Sequence, residues 1–168
     1  MSSSIKEKIQ RWFWPLMPGY PDEARRIVQG PHIRKLFDRA AGHSVSLRRT
    51  FNAGAGDGGY SSLILGLPGV EKSFESDFGY STQKPIRIDS RQCFFGASLT
   101  SVPLRDQTID LVLCTEVLEH IEQHESALDE IARVTAPGGW LLITVPPPAH
   151  RMQIMCGKAT GQRNWAAC

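Results

Sequence analysis

No stretch of the 168-residue chain approaches the roughly 20 consecutive apolar residues that a membrane-spanning helix requires. The apolar run Trp12 to Met17 is broken by Pro15 and followed by Pro18, so it does not read as a signal peptide. Cysteine is scarce. Cys93, Cys114, Cys156 and Cys168 form no CxxC pair and show no metal-ligand spacing, so no metal is expected. Two of the four stand in apolar, strand-like runs where cysteine acts as a small hydrophobe, and a reduced cytoplasmic setting is the expectation. Charge of one sign is lacking too. Nineteen Lys and Arg balance seventeen Asp and Glu, for a net charge of +2. The arginines are scattered (Arg25, Arg26, Arg34, Arg39, Arg48, Arg49), so no nucleic-acid partner is expected. A small-molecule, lipid or protein partner stays open. There is no internal repeat and no low-complexity tract.

What is present is the material of one globular domain, with 41% hydrophobic residues and a length sufficient for a core. Residues 5–14 suit a short helix, and a second helical stretch runs from Asp22 to about Ala41 with Gly30-Pro31 as a break. Residues 1–46 are thus read as an N-terminal helical segment. From Leu47 the pattern changes to strands alternating with helices. Strands are expected at Arg48 to Asn52, Val70 to Ser76, Gln92 to Gly96, Ile109 to Cys114 and Trp140 to Val145. Helices are expected at Tyr60 to Leu65 and Glu122 to Thr135, the latter placing Leu128, Ile131, Ala132 and Val134 on or near one face and ending at Pro137-Gly138-Gly139. This alternation predicts an α/β fold, Rossmann-like and doubly wound around a mostly parallel sheet of about five strands.

The most informative segment is FNAGAGDGGY, residues 51–60. Gly54, Gly56 and Gly58 directly after a strand let backbone approach a ligand without obstruction by a β-carbon. The helix beginning near Gly58 presents N–H groups that suit a carboxylate or phosphate. The same letters also satisfy GxGxxG through Gly54, Gly56 and Gly59, the dinucleotide fingerprint. A plain connecting turn is the third reading. Asp77 follows the second strand 23 residues after Gly54, where a carboxylate can accept both hydroxyls of an adenosine ribose. Glu71 and Glu75 compete for that role, but strand alternation and the turn at Phe78-Gly79 favour Asp77.

Gly54-Ala55-Gly56-Asp57-Gly58 resembles motif I of the class I S-adenosylmethionine-dependent methyltransferases, of the methyltransferase type 11-like kind. Downstream, SLTSVPLRDQTID (98–110), LVLCTEVLEHI (111–121) and LDEIARVTAPGGWLLITVP (128–146) resemble later motifs of that family in the same order. The resemblance spans about Arg48 to Pro146, and it makes a nicotinamide-dependent reductase the weaker alternative. It implies S-adenosyl-L-methionine as cofactor and residues 47–148 as its binding core. Motif by motif, it implies that the Gly54–Gly58 loop, with Ala55 and Asn52, holds the methionine end, and that Asp77 binds the ribose. Ala97, Ser98 and Leu99 would line the adenine pocket, and Cys114, Thr115 and Glu116 would lie beside the transferred methyl. The family usually has an acid where Asn52 stands; Asn lacks the charge, a loss of about 1 kcal/mol of charge-assisted bonding. It often has Asp where Ser98 stands, and Ser reaches less far.

Displacement at a sulfonium methyl needs positioning more than a dedicated catalytic group, so the catalytic residue is unknown from sequence. Where the acceptor must lose a proton, His120 leads Glu119 and Glu116 as a candidate base. The alternative is that His120 packs or caps the turn while Glu119 and Glu122 form a solvated face. The segment Cys114-Thr115-Glu116-Val117 is unlike the Asn/Asp-Pro-Pro-aromatic motif of DNA-base methylating enzymes. The resemblance also implies that Trp12, Phe13, Trp14 and Tyr20 close over the cofactor or shape the acceptor site; a helix packed on the domain is the competing reading.

The family core has seven strands, whereas residues 149–168 show neither clear alternation nor a helical face and read as an irregular tail. The last two strands are therefore expected to be absent. That would leave an open sheet edge for a dimer or partner to cover, or mark a truncated product. Two functions follow: methyl transfer to a small-molecule or lipid-like acceptor, or a degenerate domain that binds cofactor or a partner without turnover.

Overall fold

Ile109–Thr115 (β4) shows how the core is built, because it is buried on both faces along almost its whole length. Its side chains divide by the period of two that a strand imposes. Val112 and Cys114 join one apolar cluster, while Leu111 and Leu113 join the cluster on the opposite face. In the computed structural model the described residues are 30–38, 42, 46–82, 85–145, 153–161 and 164–167, the last two segments by backbone course alone. The expected helix at 5–14, the part of the second helix before residue 30 and the aromatic group Trp12 to Tyr20 lie outside them.

Around β4 run Arg49–Ala53 (β1), Lys72–Asp77 (β2), Gln92–Gly96 (β3), Thr135–Val145 (β5), Gln153–Gly161 (β6) and Asn164–Ala167 (β7). The seven-stranded sheet has the order β3-β2-β1-β4-β5-β6-β7. The first five strands pair in parallel, and β6 and β7 pair antiparallel. The chain steps outward from β1 to β3 and then returns to place β4 beside β1. A crevice opens at such a switch point, beyond the carboxyl ends of the strands.

Helices cover both faces. The segment 30–38 (α1) and Ser61–Leu65 (α2) lie on one side, where Ile33, Phe37 and Ile64 are buried with Leu47, Trp140 and Leu142. Gly30 and Pro31 are both helical in α1, and the expected break between them and the preceding helical stretch lies at the limit of the described residues. His124–Val134 (α3) covers the other side with Ala127, Ile131 and Val134 at helical spacing. Ala127 replaces Ala132 on the face expected from sequence. Among the described residues no helix is long and apolar enough to cross a membrane.

Two expectations change. The Pro137-Gly138-Gly139 turn lies inside a strand, since β5 already pairs Thr135 with Ile109 before resuming at Trp140 opposite Leu111. The intervening residues bulge out, with Gly138 at φ 79°. The larger correction concerns the C-terminus. The last two strands are present, and β6 pairs with β5 from Trp140↔Lys158 to Val145↔Gln153. The edge expected to be open is thus filled by the chain's own backbone. The sequence QIMCGKATG hides this strand because glycines and a lysine interrupt its alternation, and pairing with β5 overrides weak local preference.

Candidate cofactor site

The turn after β1 is held by its own backbone and by β2. Ala55 N–H donates to Ser76 O at 2.8 Å, Gly58 N–H to Ala55 O at 2.8 Å, and Ser61 N–H to Gly58 O at 2.9 Å. Asp77 joins the clamp: Oδ2 accepts Gly56 N–H at 3.0 Å, and Oδ1 accepts Gly79 N–H at 2.8 Å. The Tyr80 hydroxyl donates to Gly56 O at 2.8 Å. Burial, with Glu75, Asp77 and Asp57 nearby, pushes this phenol up, so it stays a donor. Several loop amides that could have faced a carboxylate are therefore used within the protein. The positive φ of 72° at Gly54 is one that side-chain-bearing residues rarely adopt.

These elements wall a cleft of about 1040 Å³. Gly54, Ala55 and Gly56 form its floor with Asp77; Ala97, Ser98 and Leu99 form a second side; Thr115, Glu116 and His120 form a third. Three expected residues do not line it: Asn52, Gly58 and Cys114. Asn52 alternates with Phe51 and Ala53, which belong to the α3-side cluster, so its side chain lies on the other face. It is 1% exposed, and among the described residues its amide oxygen and nitrogen find no hydrogen-bond partner. Cys114 is core; burial and then Glu119 push its thiol up, which makes it unreactive. Gly58 shapes the loop from behind.

Sequence reading missed Tyr60, Ser76, Phe78, Thr100, Val117, Ile121 and Gln123, all of which line the cleft. Phe78 is the plainest omission. It is 81% exposed beside Asp77, and a large apolar ring directly after the strand-end acid was the available signal.

The cleft's acidic side carries strain. Glu116 has φ 55°, and it is pinned there by its N–H to Thr144 O at 3.1 Å and by Thr144 Oγ1 to Glu116 Oε1 at 3.1 Å. Backbone held in this region costs about 1–3 kcal/mol and gathers at functional sites. His120 Nε2 lies 3.9 Å from Glu119 Oε1, the imidazole 72% exposed and the Glu119 side chain 8%. Glu119 is therefore not part of a solvated face.

The arrangement fits an adenosyl ligand. A carboxylate has about four acceptor positions, and Asp77 uses two on backbone amides, which leaves capacity for vicinal hydroxyls. Leu99 supplies apolar wall.

The sequence profile described as a methyltransferase domain matches residues 51–143. A malonyl-[acyl-carrier protein] O-methyltransferase of Chlorobium luteolum is 26% identical over 83% of this chain and 54% of its own length. The 27-O-demethylrifamycin SV methyltransferase of Amycolatopsis mediterranei is 29% identical over 83% of this chain and 56% of its own. The chain thus spans about half the length of these curated relatives. Among solved structures, the trans-methyltransferase CalH in complex with S-adenosylhomocysteine superposes with a TM-score of 0.54 at 16% identity, covering 67% of this chain and 35% of that one. With the glycine turn, the strand-end acid and the profile match all on one sheet, the chain belongs to the methyltransferase domain family, class I and dependent on S-adenosyl-L-methionine.

Proposed function

We propose that this domain transfers a methyl group from S-adenosyl-L-methionine to an oxygen of a small-molecule or lipid-like acceptor. One observation carries the reading: Gly54–Gly56, Asp77, Ala97–Leu99, Thr115–Val117 and His120 converge on a single cleft at the switch point of the sheet. Bound there, the cofactor supplies a methyl already activated on a sulfonium. Asp77 orients the ribose, Leu99 and Ala97 enclose the adenine, and Thr115 and Glu116 border the methionine end. His120 would accept the proton that an acceptor hydroxyl loses as its oxygen–carbon bond forms and the methyl's carbon–sulfur bond breaks to release the neutral thioether, with Glu119 Oε1 3.9 Å from the imidazole Nε2. Two relatives whose names specify an oxygen acceptor favour this atom.

The rival reading, binding without turnover, drew on the missing strands, on Asn52 and on Ser98. With β6 and β7 present, the arguments from Asn52 and Ser98 stand. Calorimetric titration with S-adenosylmethionine, S-adenosylhomocysteine and NADH tests the proposal. Binding of both sulfur compounds with none of NADH is the expected result; failure of both to bind would sink it.

A further inference from the structure

The last three residues of β2 hold the glycine loop at three points. Ser76 and Asp77 hold it from the cleft side, through Ala55 and Gly56. The third contact lies beneath: the Ser61 hydroxyl donates to Glu75 Oε2. Glu75 is fully buried. Its other oxygen accepts Gln92 Nε2 at 2.8 Å and the Ser73 hydroxyl at 3.3 Å. Gln92 has no choice of orientation, because its own Oε1 accepts the Ile88 and Asp89 amides at 2.8 and 3.0 Å. Three donors thus converge on one carboxylate, and no cation among the described residues pairs with it. A buried group of this kind is costly unless it is fully hydrogen-bonded.

Ser61 transmits this hold to the loop. Its N–H bonds Gly58 O, and a β-carbon at Gly58 would stand 3.3 Å from Ser61 Oγ. Displacing Ser61 would therefore shift the turn that borders the cleft at Asp57 and Gly59. On the neighbouring strand Asn52 stands in register with Glu75, buried and neutral. Partners in register on parallel strands point to the same face, so an acid at position 52 would confront Glu75 with a like charge.

We propose that Glu75 is a positioning residue for the cofactor loop: its carboxylate, acting through Ser61, fixes the step from the glycine turn into α2, and the neutral Asn52 allows it to remain there. The ligand-binding consequence rests on the function proposed above; the electrostatic and dynamic consequences do not. The test uses the full chain and the variants Glu75→Gln, Ser61→Ala, their combination, Asn52→Asp, and Asn52→Asp with Glu75→Gln. Glu75→Gln and Ser61→Ala should each weaken S-adenosylhomocysteine binding about tenfold, and the combination should be no weaker than either alone. Hydrogen exchange at the amides of residues 55–59 should quicken in both. Asn52→Asp should lower the melting temperature of the ligand-free protein, and adding Glu75→Gln should restore it. Additive losses of affinity, unchanged exchange, or an Asn52→Asp protein that melts like the parent would each overturn the proposal. If the unmodified chain does not bind S-adenosylhomocysteine, the methyltransferase reading fails; exchange and melting still decide the role of Glu75.

Discussion

A β-carbon on Gly54 would stand 2.2 Å from Val117 Cγ2, so the end of β1 and the turn after β4 meet at a distance only glycine permits. Gly54→Ala combines this clash with a positive φ and should cost about 2–4 kcal/mol, read as a lower urea midpoint. Adding Val117→Ala should recover the steric part and leave the backbone part. A Gly54→Ala protein with the parental midpoint would contradict the close approach.

Asp77→Ala should weaken S-adenosylhomocysteine binding by at least about tenfold, because it removes both the ribose acceptor and the clamp on Gly56. Asp77→Asn keeps one acceptor oxygen and should lose less. Affinity that persists unchanged in Asp77→Ala would remove the ribose assignment.

Arg133 fastens the segment leading into β4. It donates to Glu130, Leu104 O, Val102 O and Asp106, and so ties residues 102–106 to α3. Lysine cannot reproduce that fork, so Arg133→Lys should destabilise the protein by about 1–3 kcal/mol. Because Ser98, Leu99 and Thr100 line the cleft just upstream, ligand affinity should fall with it. Thermal melts and calorimetry on the same variant check both expectations.

Acid should act at the same place. The Arg133 guanidinium, and then the Val102 amide, hold the Glu130 carboxyl below its ordinary value against the opposing effect of burial. A depressed folded value means that the contribution is complete above the ordinary carboxylate range and is lost as pH falls through the folded value. Melting temperature should therefore decline as pH falls below the ordinary carboxylate range, and Arg133→Gln should flatten that limb. An equally steep decline in Arg133→Gln would assign it to other carboxylates.

Truncation after Val145 would expose the edge of β5 that β6 now pairs. Such a protein should self-associate, because an apolar strand with unpaired N–H and C=O groups invites further pairing. Light scattering during gel filtration would show it, and a monodisperse monomer would count against the register between the two strands.

The parallel half of the fold was legible because its signals are local. β4 and β5 announce themselves by continuous apolar runs, α3 by the spacing of Ile131 and Val134, and the turn after β1 by glycines at positive φ, which other residues rarely adopt. The motif order from Gly54 to Val145 likewise depends only on sequence. Other features depended on what the chain meets after it folds. The strand at Gln153–Gly161 has too little alternation to be seen alone and exists by pairing with β5. Asn52 was removed from the cleft by the face of the sheet its side chain takes, and Cys114 by its burial in the core on the opposite face. The contact of Ser61 with Glu75 joins residues 14 positions apart that no motif links. Periodicity determined the elements of the parallel half, and the family resemblance identified the cofactor turn; tertiary packing decided the C-terminal strands and which side chains border the cleft, because a one-residue step along a strand reverses the face.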